Sequence, residues 1–349
     1  LGMVYRNMSK YEKSLECYKS VVESMPGSEY AEESMIAIES IYHKMKKPEK
    51  FLEYVEANDL ALKRTDAEKE KMYFSTAEQL YLSGNYQQAI ATLGKFIENY
   101  PQSPDMTQAV FYLAESYRET GDKEKACAEY AKVMNAESSL SFVEMSKLRY
   151  AQLSFDLQRY SDAYNGYLAL SETTRIENNR TVAREGMMLS AYKSKDYDKA
   201  VIAATAVVSD ADADKDTKTE AKYIKAKSLL ATSKRSEAMK LFAELGAVPS
   251  SPRGAESKYL LIQNLFDTAD FDAVESEVYD FSQKSGNQSY WLAKAYLVLG
   301  DSFVERGLYD QAKATYESIG EGYQAPSAGD DIADNVKKRL DRLAGLMEN

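Results

Sequence analysis

A single histidine, two cysteines and a run of alternating aspartates are the residues in this chain whose types could support chemistry. His43 lies between Tyr42 and Lys44 in a helical pattern. One imidazole leaves no pair for a zinc motif and would make any nucleophilic triad depend on this residue alone. Its setting reads as a partly exposed helix end. Cys17 and Cys127 are 110 residues apart and fall in different segments of the pattern described below, too distant to bridge in a locally stacked fold. The run Asp210-Ala-Asp212-Ala-Asp214-Lys-Asp216 resembles the start of a calcium loop. Read from Asp210, however, the required glycine falls on Lys215 and the closing glutamate on Ala221; read from Asp212, they fall on Thr217 and Tyr223. The run is therefore expected to be a loop that caps the next helix. No phosphate loop, nucleophile elbow or Gly-x-Gly-x-x-Gly occurs, and the acidic pairs read as solvated helix faces. The sequence predicts no catalytic residue, no metal site, no cofactor and no enzyme. What remains is a supply of rings, 27 Tyr and 11 Phe with one Trp, whose positions depend on the elements that carry them.

Hydrophobic residues make up 44% of the chain and charged ones 28%, too apolar for a disordered chain. No apolar run approaches a membrane span. A net charge of −11 without a basic stripe argues against nucleic acid as a partner. Leu1-Gly2-Met3-Val4-Tyr5 reads as the interior of a helix, which leads us to expect a piece of a longer protein.

The positioning elements emerge from residues 73–101, where an apolar helical pattern runs to Gly84-Asn85, a second starts at Tyr86, and Pro101 closes it. The same unit recurs with Tyr11, Lys47, Tyr86, Lys123, Tyr160, Tyr197, Arg235, Phe271 and Tyr309 opening each second helix, at spacings of 36 to 39 residues. Three residues after most anchors comes a small side chain (Ser14, Ala89, Ala126, Ala163, Ala200, Ala238, Ala312), with Lys50 and Val274 as exceptions. Seven after comes a large one, among them Tyr18, Leu93, Tyr130, Phe242 and Tyr316, with Ala204 as the outlier. These offsets share one helical face, so small residues let helices approach and large ones fill the gaps. First helices carry a matching stripe, as in Tyr73, Thr76, Ala77 and Leu80. Strand-type alternation is absent, which predicts an all-α chain. A looser joint is expected around Asn58-Asp59 and Arg64-Thr65-Asp66. After Ala325-Pro-Ser-Ala-Gly329, Ile332, Val336, Leu340, Leu343 and Met347 predict one amphipathic capping helix. The array is read as residues 1–325 and the cap as residues 326–349.

Leu1-Gly2-x-x-Tyr5, Gly84-Asn-Tyr86-x-x-Ala89, Leu299-Gly300-x-x-Phe303 and Tyr309-x-x-Ala312-x-x-x-Tyr316 resemble the tetratricopeptide repeat signature. The resemblance implies a right-handed superhelical solenoid of antiparallel helix pairs, about nine repeats with the first truncated, whose period exceeds the family's usual length of about 34 residues. The Asn99-Tyr-Pro-Gln-Ser103 ending is similar to tetratricopeptide modules of bacterial envelope proteins, the outer-membrane assembly lipoprotein and the Tol-Pal-associated periplasmic coordinator. That likeness implies a periplasmic or outer-membrane-associated setting in preference to the cytoplasm.

In the resembled family, positions 12 and 5 before each anchor line the concave groove where partner segments bind. Here they include Phe74 and Tyr81, Phe111, Phe155, Tyr192, Tyr223, and Tyr259 with Phe266. Rings on a groove offer contact area at low entropy cost; the competing reading is that they pack into the core between repeats. The chaperone-type carboxylate clamp of that family would need Lys and Asn where this chain has Phe74 with Glu78, Phe111 with Glu115 and Tyr259 with Gln263. The expected function is a non-enzymatic scaffold binding a protein or peptide segment in an envelope assembly. Surface glycan binding, or service as the non-catalytic superhelical part of a larger envelope enzyme, are the alternatives.

Overall fold

The computed structural model describes residues 1–58, 65–136, 140–325 and 329–348, and among them the chain forms nineteen helices and no strand. It divides into two compact units, Leu1–Thr174 and Arg175–Asn349. In the first are α1 (Gly2–Asn7), α2 (Tyr11–Ser24), α3 (Glu29–Lys44), α4 (Pro48–Ala57), α5 (Asp66–Leu82), α6 (Tyr86–Asn99), α7 (Met106–Glu119), α8 (Lys123–Met134), α9 (Ser141–Asp156) and α10 (Tyr160–Thr173). The second holds α11 (Glu177–Lys193), α12 (Tyr197–Ser209), α13 (Lys215–Ala231), α14 (Arg235–Gly246), α15 (Pro252–Asp267), α16 (Phe271–Lys284), α17 (Ser289–Glu305), α18 (Tyr309–Gly322) and α19 (Ile332–Met347). Each unit is a stack of antiparallel helix pairs. No helix among the described residues is long and apolar enough to cross a membrane.

Eight of the nine anchors are the first residue of a second helix. The exception is Lys47, which precedes α4, because Pro48 takes the first helical position, where its missing N–H costs nothing. Counted from Pro48, the two core offsets fall on Phe51 and Val55, both buried, while Lys50 is exposed.

One backbone device ends every first helix. The residue two before the second helix has positive φ in all nine described turns. Three of these residues are glycines, Gly84, Gly121 and Gly307; the other six are Ser9, Lys46, Gln158, Lys195, Ser233 and Ala269, at φ from 55° to 63°. The next N–H donates to the carbonyl five residues back, as Asn85 to Leu80 at 2.9 Å and Lys234 to Leu229 at 2.8 Å. This closure satisfies carbonyls that a helix end would leave unpaired.

Packing follows the expected offsets. Ser14, Ala89, Ala126, Ala163, Ala200, Ala238 and Ala312 have no exposed surface, and Leu93, Tyr130, Phe242 and Tyr316 are buried beside them. Burying a side chain of that size stabilises the fold by roughly 1.5–3 kcal/mol. Gly300 is required by its partner: a Cβ there would lie 2.3 Å from Tyr316 Cε1. Lys258 on α15 is buried and reaches Glu277 and Asp280 on α16. Burial alone would push its ammonium down, but the two carboxylates outweigh this and hold it above its ordinary value. The hydrogen bonds from Lys258 and Lys284 in turn lower the Asp280 carboxyl to about 2.

Of the expected looser joint, Asp59 to Arg64 lie outside the described residues, while Thr65 opens α5 with a capping box to Glu68. Pro326, Ser327 and Ala328 also lie outside them. In α19, Ile332, Val336 and Leu343 are buried, whereas Met347, expected on the same stripe, is 46% exposed.

Candidate functional site

The face formed by first helices in the first unit carries a shelf of rings. Phe74 and Tyr81 on α5 both stack on Tyr112 of α7, with centroids 6.4 and 4.5 Å apart and planes 20° and 25° from parallel. The Tyr112 hydroxyl donates to Glu78 Oε1 at 2.9 Å and accepts from Gln108 Nε2 at 2.7 Å. Burial, with the Glu115 charge beside it, pushes the Tyr81 phenol up to about 12.

Beyond the shelf lies a charged cluster on α7 and α9. Glu115 is buried, accepts from the Tyr130 hydroxyl, and pairs with Arg118 Nη2 at 2.8 Å. Arg149 Nε is 3.9 Å from the same carboxylate. The Nε atoms of Arg118 and Arg149 are buried and make no hydrogen bond. Such donors are rare in folded proteins and want an acceptor. The three side chains at the clamp position are engaged within the fold: Glu78 by Tyr112, Glu115 by Tyr130 and Arg118, and Gln263 by Asp267 at 2.9 Å.

The remaining candidate rings divide by environment. Phe111 is buried among Tyr112, Tyr130 and Phe142, and Tyr223 is buried beneath the Arg253 guanidinium, 4.2 Å above its ring. These two are core rings with no face free for a partner. Phe155, Tyr192 and Phe266 are half-buried, like Tyr81, and each packs against its own anchor ring across the turn: Tyr81 on Tyr86, Phe155 on Tyr160, Tyr192 on Tyr197 and Phe266 on Phe271, at 5.2–6.2 Å. The position five before the anchor thus clasps the hairpin before it offers anything outward. Tyr259 lies 5.5 Å from Trp291, which meets Tyr290 edge-on at 5.0 Å.

The chemistry-bearing residues do not converge. His43 has Glu39 at 3.8 Å as its ionic neighbour, and both cysteines are free, Cys127 buried and Cys17 half-buried. Asp214 caps α13 by accepting from Thr217 N at 2.7 Å. Glu177, Asp210 and Asp212 lie close enough to share an ion, but Arg184, at 2.7 Å, already neutralises Asp210.

Residues 1–26, 77–138 and 290–323 each match a family model described as tetratricopeptide repeat. Within these segments the chain carries tetratricopeptide repeats. The glycine turns at Gly84, Gly121 and Gly307 all fall within the matched segments. Among solved structures, a tetratricopeptide repeat protein from Parabacteroides merdae ATCC 43184 is similar at 13% identity, covering 79% of this chain and 98% of that one, with a TM-score of 0.37. The P58(IPK) TPR domain is similar at 13% identity, covering 100% of this chain and 96% of that one, with a TM-score of 0.30. No curated protein matches the chain significantly. The functional reading therefore rests on this chain's own residues.

Spacing alone does not single out Tyr112 or Arg149, which lie one position beyond the first-helix groove positions, twelve before their anchors. A signal for them existed in that adjacency, since neighbouring positions on a helix turn by about 100° and both can border one groove.

Proposed function

We propose that the chain is a non-catalytic protein-interaction scaffold whose first-helix face holds an extended segment of another protein, in a bacterial envelope assembly. The observation that carries this reading is the shelf of Phe74, Tyr112 and Tyr81 running on to the partly exposed guanidinium groups of Arg118 and Arg149. A segment laid on the rings would gain apolar contact there, while the partly exposed guanidinium edges of Arg118 and Arg149 would register its carbonyl or carboxylate oxygens. The repeats support the scaffold reading in general terms, since stacked helix pairs present long binding faces. The envelope setting is supported by the Asn99–Ser103 ending alone.

A photo-crosslinking amino acid in place of Tyr81 tests both parts, with Lys95 on α6 as the control position. The expected result is one discrete adduct from position 81, recovered with the periplasmic or membrane fraction, and none from position 95. Equal labelling from both positions would remove the binding face, and an adduct confined to the cytoplasmic fraction would remove the envelope setting.

A further inference from the structure

In the second unit, a cavity of about 400 Å3 opens between α15, α17 and α19, with Tyr316 of α18 at its wall. Phe266, Val304, Leu343 and Leu346 give it an apolar lining. Its charges are unevenly satisfied. Asp301 accepts from Arg339 Nε at 2.9 Å and Nη2 at 2.8 Å, and from the Tyr316 hydroxyl at 2.7 Å, so that pair is closed within the fold. Lys338 and Arg342, one helical turn apart on α19, are exposed at the rim and form no hydrogen bond or ion pair with any described residue. Glu305 is the acidic side chain that faces them unpaired. The rim is thus locally cationic on a chain of net charge −11.

We infer that this cavity binds an acidic-apolar segment of a partner protein, with one or two carboxylates on Lys338 and Arg342 and a large apolar side chain in the lining of Phe266, Val304 and Leu343. This rests on the scaffold reading above and names the chemistry of one stretch of the bound segment. The cavity is at the small end of those that hold ligands, about 300–1,000 Å3, which suits one bulky side chain and not a helix. Arginine grips a carboxylate bidentately, and lysine adds a point charge beside it. Asp301, held by Arg339, keeps a wall that a basic segment would find already neutralised, while the free cations repel it.

Fluorescence anisotropy on the full chain tests this with a short labelled peptide carrying two glutamates followed by leucine and phenylalanine. The matched control replaces the glutamates with lysines. The acidic peptide should bind, weakening as salt is raised, and the Lys338→Glu/Arg342→Glu double variant should lose at least about tenfold in affinity. Both side chains are exposed and unpaired, so the variant should keep the parent melting temperature, and circular dichroism would detect a folding defect. Equal binding of the basic peptide, or unchanged affinity in a folded double variant, would overturn the inference. Neither result touches the adduct expected at position 81, so failure here is distinguishable from failure of the scaffold reading.

Discussion

Phe111 and Tyr81 both fall on expected groove positions, twelve and five residues before their anchors, yet their environments separate what each contributes. Phe111 is 7% exposed and meets rings from two other helices, whereas Tyr81 keeps a wet edge. Phe111→Ala removes a buried ring and leaves a cavity, so it should cost about 3–5 kcal/mol in urea unfolding followed by helical signal. Tyr81→Ala should cost clearly less while abolishing partner capture. A similar loss for both would mean that the shelf is core. The burial of Phe111 and Tyr223 could not be read from spacing, because the groups that cover them, Phe142 and Arg253, come from about one repeat further along the chain. The clasp between each ring and its anchor was equally hidden: five residues apart is not a same-face spacing on a helix, and the turn between them brings the rings together.

At the scale of elements, much was legible. Eight anchors open second helices and the small-residue offsets are buried, because a solenoid repeats the same local packing problem in every unit. Turns were legible at Gly84-Asn85, Gly121-Asp122, Gly307-Leu308 and the polar Lys195-Asp196, but their left-handed backbone only where glycine marked it. Ser233, at φ 62°, does the same work as Gly84, at φ 79°, under the strain that a side chain carries in the left-handed region. Ser233→Gly should therefore stabilise the α13–α14 hairpin by about 0.5–1 kcal/mol, read as a rise in melting temperature. A fall would show that the Ser233 side chain makes a compensating contact. The second pair was misread by one residue because a charged lysine next to proline hid the true helix start, Pro48.

At the scale of the molecule, the division at Thr174 and Arg175 was not legible, since the period runs through it without a composition change. Each unit buries its own apolar clusters, such as Leu93 with Phe96 in the first and Val278 with Phe281 in the second. Residues 1–174 and 175–349, expressed separately, should each give a helical spectrum and a cooperative melt. A half that stays unfolded would show that its core depends on the other. The chain's single tryptophan falls in the second unit, wedged between Tyr259 and Tyr290. Its emission is therefore a built-in optical gauge of one place, where the rings of Tyr259 on α15 and Tyr290 on α17 pack against it. Because Tyr259 lies on α15 and Trp291 on α17, a change in that emission reports a change in the contact between the two helices that border the cationic cavity, with no label attached.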